Sequence, residues 1–558
     1  MKNEIACIVF FCLLSLVAGS EALAAEQTPE QISQIRQKIK FIQDEIDYLQ
    51  DKYSAEDKKW ITYKQNAISL AKSCEKRLDN SKGNNDTIAI QLKDLQKCLE
   101  EQHKKIPLTF PSGPAGPGRF GAYYTRLKYS LSWDKPWRVH EHPDVVVRFD
   151  NSPCKFVFWR GTCYIPCWVT ENDIWYNNEF CETLDKHTAS SQEPLSDIYC
   201  RYSHVRILEN TDARVVVHWR YALSDYYNRL AHQDPVTGWN DWADEYYYIY
   251  PNGIAMRKIM LYSSRLDVWH EFQESIVISP PGTFPDDNIN LEAVTAANLK
   301  GESKTFSWAD DGDRNWRNQP EETCIEVINL KSEYKPFLIV PPEKTMLALF
   351  GGSHGESKFN VWCGPVREHK VNPDHPSPAL SYDQPTHACL SWFIKELKPD
   401  EAMYNFATVG WQPYEQKEQS LIKLLLNGLT QKTASELAIL GKSWLNAPEL
   451  KLLDKGFISE GYDQTQLAFV LTNSKKAKNP VMKFTILASE ESPLVDPSFV
   501  IKDWGEADAG LKINGQEIQR GKKFRCGHRR EMQGTDLIVW LELESVKPIE
   551  MEFVPVGK

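Results

Sequence analysis

A run of short β-type segments within Trp137–Glu274 constrains the fold more than any other feature of the chain. Val, Ile, Tyr, Phe and Trp dominate stretches such as 144–148 and 215–221, and the Pro-Asn-Gly tripeptide at 251–253 separates two further stretches as a hairpin turn would. Long polar loops connect these stretches. Because this pattern is typical of stacked sheets, we predict a mainly β fold with a large antiparallel β-sandwich over residues 122–412.

The length of the chain predicts further domains, because 558 residues exceed what one hydrophobic core usually holds. Changes in composition and periodicity mark the expected boundaries. We predict, in order, a signal peptide (1–24), a helical coiled-coil segment (25–109), a Pro/Gly linker (110–121), the large β-sandwich (122–412), a helical connector (413–455) and a small C-terminal β-sandwich (456–558).

Two segments show helical periodicity. In the first, apolar residues recur at steps of three and four, namely Ile32, Ile35, Ile39, Ile42, Ile46, Leu49 and Tyr53. This heptad pattern predicts a coiled coil, and self-association through residues 27–103 would bury its apolar seam. In the second, 415–446, leucines at similar spacing predict a helix that Pro448 ends.

The first residues indicate export. Lys2 precedes an apolar run, Ile5–Ala18, that is too short to span a bilayer well, and Ala22-Leu23-Ala24 matches a signal-peptide cleavage site. We therefore predict an exported protein, secreted or periplasmic, without a membrane span, because no later stretch is apolar enough for one. Export permits disulfides, but the sequence leaves their connectivity open, including a Cys74–Cys98 bridge.

The charge of the chain limits its partners. A formal net charge of −11 argues against a nucleic-acid partner, which would require a strong basic excess. An anionic polysaccharide can still bind if basic side chains gather locally on one surface.

Histidine and arginine share a face on two of the expected strands. Alternate residues of a strand point to the same side, so His218 lies beside Arg220, and His204 lies beside Arg206. Burying charge in a dry sheet interior is costly unless the charge is paired. This pairing, repeated on two strands, therefore favours a functional surface.

These residue types match the requirements for cleaving a uronate polymer by β-elimination. Such a reaction needs a group that neutralises the uronate carboxylate, a base that removes the C5 proton and an acid that protonates the leaving oxygen. The predicted catalytic residues are His204, His218, Tyr246 and Arg220. The predicted substrate-binding residues are Arg160, Tyr176, Asn177, Asn178, Trp239 and Trp242.

Two alternatives remain open from the sequence. A glycoside hydrolase would use two carboxylates across the scissile bond, and the candidates are Asp244, Glu245, Glu271 and Glu274. A non-catalytic carbohydrate-binding or structural protein would use the aromatic side chains alone. We expect no cofactor and assign no metal ligands, since the acidic turn at 310–313, which could attract Ca²⁺, lacks the spacing of an EF-hand loop.

Residues 137–180, together with 201–223 and 241–253, resemble secreted bacterial polysaccharide lyases of the ulvan lyase group. The resemblance implies a sulfated rhamnose–uronate substrate and an eliminative mechanism, and it does not assign individual catalytic residues. The β pattern also resembles the supersandwich of galactose-mutarotase-like domains, which is a likeness of fold and carries no function by itself.

Overall fold

A computed structural model describes most of the chain after residue 109. The residues it describes are a few isolated positions between 33 and 93, then 110–128, 142–185, 191–197, 200–225, 227–279, 285–307, 319–342, 345–349, 386–394, 412–475 and 480–557. The chain divides into two compact units, Met1–Thr109 and Phe110–Lys558. The coiled coil, self-association through 27–103, the Cys74–Cys98 bridge and the acidic turn at 310–313 therefore stay predictions, because they lie outside the described residues or rest on isolated positions.

Strands dominate the second unit, and they are numbered here in chain order. Those before residue 280 are β1 Gly121–Thr125, β2 Asp144–Arg148, β3 Lys155–Phe158, β4 Pro166–Val169, β5 Trp175–Asn177, β6 Glu182–Thr183, β7 His204–Asn210, β8 Val215–Ala222, β9 Trp242–Ile249, β10 Ile254–Tyr262, β11 His270–Glu271 and β12 Ser275–Ser279. Those up to residue 430 are β13 Ile289–Ala297, β14 Ser303–Phe306, β15 Ile325–Leu330, β16 Lys335–Ile339, β17 Thr345–Leu349, β18 Thr386–Ile394, β19 Glu415–Lys417 and β20 Ser420–Thr430.

The C-terminal strands form a separate set. They are β21 Leu450–Leu452, β22 Phe457–Asp463, β23 Ala468–Asn473, β24 Met482–Ile486, β25 Leu494–Val495, β26 Ser498–Lys502, β27 Asp508–Ile513, β28 Gln516–Ile518, β29 Phe524–Arg530, β30 Thr535–Leu541, β31 Glu544–Ser545 and β32 Ile549–Val556. The described helices are short, a single turn at Pro285–Asn288 and the helix Ala438–Leu445, besides 3₁₀ turns at Arg160–Thr162 and Pro194–Ser196. None of the helices in this part of the chain combines the length and apolarity needed to cross a bilayer.

Two large sheets form the main body. An eight-stranded sheet runs β1-β2-β3-β4-β5-β12-β18-β17, and a ten-stranded sheet runs β14-β13-β15-β16-β20-β10-β9-β8-β7, with β19 also paired to β20. The central pairs β8–β9 and β9–β10 are antiparallel and in continuous register. The prediction of a mainly β protein with antiparallel sheets is confirmed.

Side chains of the two large sheets contact each other across a shared core. The Trp168 indole of the eight-stranded sheet donates a hydrogen bond to Asn427 Oδ1 of the ten-stranded sheet, at 2.6 Å. The rings of Phe156 and Phe158 lie 5.4 and 5.5 Å from the ring of Tyr247. Burying large aromatic side chains between the sheets supplies much of the apolar area removed from water.

The stretch predicted as a helical connector contains a central strand instead. Ser420–Thr430 is β20, which pairs with β10 on one side and β16 on the other, and the helix is confined to Ala438–Leu445. Leu424, Leu425 and Leu426 are all buried, so this strand is covered on both faces. Closely spaced leucines fit a strand buried on both sides as well as a helix, which is why periodicity alone misassigned it.

The Pro/Gly stretch predicted as a linker packs against the main body. Phe110 is buried with its ring 4.9 Å from that of Trp175, and Phe120 is buried with its ring 5.9 Å from that of Phe149. Gly121 already begins β1, an edge strand of the eight-stranded sheet. The two phenylalanines hold this segment in place despite its composition.

The C-terminal strands form two five-stranded sheets, β21-β24-β32-β27-β28 and β22-β23-β26-β30-β29, with a common buried core. Tyr248 of β9 packs against a second cluster that includes Val470 and Trp540. Arg214 of the main body donates a hydrogen bond to Gln466 at 2.9 Å. The C-terminal sheets therefore cover one end of β8 and β9, and these contacts do not extend to the other end.

The described cysteines carry free thiols, all of them buried: Cys154, Cys163, Cys167, Cys181, Cys200, Cys324 and Cys526. Burial raises the pKa of the Cys154 thiol to about 12. A buried thiol that stays protonated is a poor nucleophile and a poor metal ligand. None of these described cysteines forms a disulfide, so the prediction of a disulfide is not confirmed for them.

One buried carboxyl makes the stability of the fold depend on pH. Glu326 of β15 is fully buried; its Oε1 accepts a hydrogen bond from the Ser275 hydroxyl at 2.8 Å, and its Oε2 has no partner among the described residues. Burial raises the pKa of Glu326 to about 8, although the bond from Ser275 opposes the rise. The folded chain thus holds this proton more tightly than the unfolded chain, and stability falls as pH rises from about 4.5 to about 8.

We expect Glu326→Gln to stabilise the protein by roughly 1–3 kcal/mol at pH 8. At that pH the Glu326 carboxyl must either stay charged while buried or take up a proton on folding, and the neutral amide of glutamine avoids both costs. The measurement is the free energy of unfolding by denaturant at pH 5 and at pH 8. The gain should be larger at pH 8, and the exposed Glu517→Gln is the matched control. An equal change at both pH values would contradict the assigned pKa.

Candidate active site

The outward face of strands β7 to β10 carries the polar cluster. Trp219 and Tyr221 of β8 point into the core, where Tyr221 donates a hydrogen bond to buried Glu245 at 2.7 Å. His218 and Arg220 alternate with them and therefore point away from the eight-stranded sheet. The same alternation places Asp244 and Tyr246 of β9 on this outward face.

Strand register arranges the cluster in two rows. One row crosses β7 to β10 as Arg206, His218, Tyr246 and Lys258, and the next as His204, Arg220, Asp244 and Met260. Neighbouring strands lie about 4.8 Å apart, and the two rows lie about 6.7 Å apart along the strands. Three cationic side chains and two imidazoles thus share an area of the size of one or two sugar rings, and Asp244 is the carboxylate among them.

Asp244 holds Arg220 and His218 in place. Its Oδ1 lies 2.6 Å from His218 Nε2 and its Oδ2 accepts a hydrogen bond from Arg220 Nη1 at 2.7 Å. The Arg220 guanidinium also lies over the Trp242 ring, 4.8 Å from its centroid, and Trp242 is half-buried. The Arg220 side chain remains 35% exposed, so a fixed cation is presented to solvent.

His218 is held by both ring nitrogens. The carboxylate of Asp244 can only accept, so Nε2 carries the proton, and Nδ1 faces Arg206 Nη2 at 3.5 Å. The ring is stacked on Tyr246 with centroids 4.7 Å apart, and the residue is only 5% exposed. His218 therefore suits a positioning role better than that of a base which must reach substrate.

Tyr246 is placed to donate a proton. Burial and the Asp244 carboxylate raise the pKa of the Tyr246 phenol, while Arg220 and Arg206 lower it in part. The phenol is therefore protonated at neutral pH, as a general acid must be. Its ring is half-buried and fixed by the stack on His218.

His204 is the exposed imidazole of the cluster. It begins β7, stands opposite Arg220 in register, and its ring meets that of His142 edge-on at 5.6 Å. Because it is exposed where His218 is buried, His204 is the histidine that a bound ligand can reach. The four predicted catalytic residues, His204, His218, Tyr246 and Arg220, therefore lie on one face.

The predicted binding residues are divided between the surface and the interior. Arg160 is buried in the turn Arg160–Thr162, and Tyr176 is fully buried with its hydroxyl donating to Asn178 Oδ1 at 2.6 Å. Asn177 is buried and accepts a hydrogen bond from the Glu179 amide at 2.8 Å. These four residues organise the core, and the structure does not bring them to the outward face.

The two predicted tryptophans lie on and beside the loop 223–241 that joins β8 to β9. Trp239 is 65% exposed near the end of this loop. Trp242 begins β9, packed under Arg220. Trp239 is therefore available to contact a ligand directly, whereas Trp242 acts on the site through the guanidinium that it supports.

Three of the four carboxylates considered for a hydrolase, those of Asp244, Glu245 and Glu271, are buried. Asp244 is ion-paired as described, and Glu245 is fully buried against Arg257. Glu271 is 2% exposed, and burial with neighbouring glutamates raises the pKa of its carboxyl. Burial and the neighbouring Glu193 carboxylate likewise raise the pKa of the Glu182 carboxyl.

A second cluster lies at the base of the same loop. His232 and Asp241 belong to the loop 223–241, and His270 begins β11. The metal-ligating atoms of these three side chains all lie within 4.8 Å of one another. They are the residues in the described part of the chain that could hold a metal ion.

Sequence reasoning missed this cluster and the part played by Asp244. Asp241 and His270 are 29 residues apart and follow no local motif, so only the fold reveals their proximity. Asp244, in contrast, alternates with Tyr246 on one strand and could have been placed beside His218 once β8 and β9 were assumed to pair.

Comparisons with known proteins identify no family. No family model matches the chain, and no curated protein matches its sequence. Among solved structures, galactose 1-epimerase from Lactobacillus acidophilus NCFM aligns with a TM-score of 0.26 and 12% identity, covering 56% of this chain and 99% of that chain. A Paenibacillus xanthan lyase aligns with a TM-score of 0.23 and 8% identity, covering 74% of this chain and 37% of that chain. Likenesses this distant do not bear on the function of this protein.

Proposed function

We propose that this protein cleaves a uronate-containing polysaccharide by β-elimination on the outward face of strands β7 to β10. The observation that supports this most is the position of His204 and Tyr246 beside the fixed, solvent-facing guanidinium of Arg220. An exposed imidazole, an oriented cation and a protonated phenol are the three kinds of group that the reaction needs.

Each side chain has a defined role in this proposal. Arg220 and Arg206 bind the uronate carboxylate and stabilise the charge that develops when the C5 proton leaves. His204 takes that proton, the C4–O4 bond breaks, and a C4–C5 double bond forms. Tyr246 donates its proton to the departing O4, so the reaction needs no further reactant.

The remaining residues of the cluster prepare the site. Asp244 and Trp242 fix the Arg220 guanidinium from two sides, and His218 fixes Asp244 and the Tyr246 ring. Holding catalytic groups before substrate binds removes the cost of orienting them during the reaction. Trp239, exposed on the adjoining loop, offers an apolar surface for a sugar ring.

The proposal also names the class of substrate and the location of the protein. Arg206, Arg220 and Lys258 give this face a local positive charge although the whole chain carries −11. Such a face suits a polymer with carboxylate and sulfate groups, and we propose an ulvan-type rhamnose–uronate polymer. Export directed by residues 1–24 would bring the protein to such a substrate.

Incubation with ulvan is expected to produce an unsaturated uronyl end, measured as rising ultraviolet absorbance of the conjugated enoate. We expect His204→Gln to slow this rise at least tenfold, because the variant removes the exposed base. His528→Gln, in the C-terminal sheets, is the matched control and should keep the parent rate.

Other outcomes would identify the alternatives. New reducing ends without enoate absorbance would indicate a hydrolase. Binding of the polymer without new ends would indicate a carbohydrate-binding protein. Full activity in His204→Gln would contradict the assignment of the base while leaving the reaction class standing.

A further inference from the structure

His232, Asp241 and His270 form a compact group of two imidazoles and one carboxylate. His232 Nδ1 lies 2.7 Å, and His270 Nε2 3.0 Å, from the same oxygen of Asp241, Oδ2. The three side chains are 9%, 0% and 3% exposed, so solvent contributes little to balancing their charges. Such closely converging polar groups, buried together, require a proton or a cation between them.

The hydrogen bonding of His270 favours a cation over a proton between these groups. Its Nδ1 lies 3.1 Å from the Val268 carbonyl oxygen, which can only accept, so Nδ1 carries a proton. In the neutral ring Nε2 then has a lone pair, and that lone pair faces the carboxylate oxygen. A histidine whose one nitrogen donates to a backbone carbonyl while the other faces outward is the usual arrangement of a metal-bound imidazole.

One carboxylate oxygen of Asp241 is not hydrogen-bonded to any described residue. Its Oδ1 is buried and has no hydrogen-bond partner in the part of the chain that the structure describes. Ligands of a tetrahedral ion, at about 2.0–2.2 Å from it, stand about 3.3 Å apart. The observed separations of 2.7 and 3.0 Å would widen by about 0.6 and 0.3 Å to admit such an ion.

We propose that His232, Asp241 and His270 bind a transition-metal ion of the zinc class. Two imidazole nitrogens and one carboxylate oxygen suit Zn²⁺, whereas Ca²⁺ and Mg²⁺ prefer sites made of oxygen alone. The site ties the loop 223–241 to β11, which itself pairs with β6. The assignment stands on these contacts and does not depend on the reaction proposed above.

The ion would fix the loop that borders the candidate active site. The loop already folds back on itself, since the Asp241 amide donates to the Ala231 carbonyl at 3.1 Å and the Leu223 amide to the Asp241 carbonyl at 3.0 Å. His232 has a left-handed backbone conformation, with φ of 47°, that non-glycine residues rarely adopt without a constraint. Trp239 lies on this loop and Trp242 directly follows Asp241, so metal binding would fix both indoles.

The test is the metal content of the untagged full chain purified without chelator, measured by mass spectrometry of the elements. We expect about one zinc per chain, because the three ligands form one site. His270→Gln and Asp241→Asn should each lose at least nine tenths of the metal. His528→Gln, a histidine outside the cluster, should keep it.

Two measurements on the parent chain decide the matter even if the variants fail to fold. A chelator should lower the melting temperature, and added zinc should restore it. Trypsin should cut at Arg229, within the loop, at least tenfold faster in the chelated chain than in the zinc-loaded chain. Less than a tenth of an equivalent of metal, with no change in melting temperature on adding zinc, would overturn the proposal and leave a protonated His–Asp–His group.

Discussion

The Tyr246→Phe variant is expected to carry out the proposed elimination on ulvan at least 100-fold more slowly than the parent chain at saturating substrate. Proton donation by a positioned general acid contributes about 10²–10⁴-fold to a rate. The phenylalanine ring retains the stack on His218, so the loss comes from the missing proton. The measurement is the initial rate of enoate absorbance, with kcat and KM determined separately.

The control is Tyr262→Phe, on the neighbouring strand and the same face. Tyr262 is 39% exposed and stands opposite Trp242 in register, beside the proposed acid but outside the two rows. It should keep kcat within about twofold, because it donates no proton in the proposed reaction. A Tyr246→Phe variant with the kcat of the parent would exclude Tyr246 as the acid.

The Arg257→Met variant is expected to lose about 3–5 kcal/mol of folding free energy, because removing one partner of a buried ion pair leaves the other charge uncompensated. Arg257 Nε and Nη2 each donate to Glu245 at 2.7 Å, and both side chains are fully buried. Arg257 Nη1 also donates to the carbonyl oxygens of Asn178 and Phe272, at 2.7 and 2.9 Å. The measurement is denaturant unfolding at pH 7.

The double variant Arg257→Met/Glu245→Gln separates charge from packing. We expect it to regain part of the loss, since the neutral amide needs no counter-ion. Its one oxygen can accept from the Tyr221 or the Tyr247 hydroxyl, which now bond to separate oxygens of Glu245, and its NH2 group can donate to the other hydroxyl. If the double variant is less stable than Arg257→Met, the unpaired charge is not the cause of the loss.

Strand-by-strand reasoning recovered much of the candidate active site. The alternation of side chains along β8 placed His218 beside Arg220, and the alternation along β7 placed His204 beside Arg206. Both pairs hold in the structure because this period of two is a local property of extended backbone. The same reasoning could not show that β7 and β8 are neighbours.

The sequence could not show which of the candidate residues are buried. Tyr176, Asn177 and Asn178 have the chemistry of a sugar-binding site, yet they lie in the core with hydrogen bonds to one another and to Glu179 and Ser275. Whether a polar residue faces solvent or a second sheet depends on what packs over it. A single sequence contains no local signal for that covering layer.

The sequence by itself determined the mainly β class, the side chains that share a face on each strand, and the acidic overall charge that requires any anionic ligand to bind a local basic patch. Only the tertiary structure decided that β20 is a strand, that His218 is buried while His204 is exposed, and that His232, Asp241 and His270 meet. The physical reason is the distance along the chain over which each effect acts. Backbone geometry acts between neighbours in the chain, whereas pairing of strands, burial and converging ligands depend on contacts between residues that are far apart in sequence.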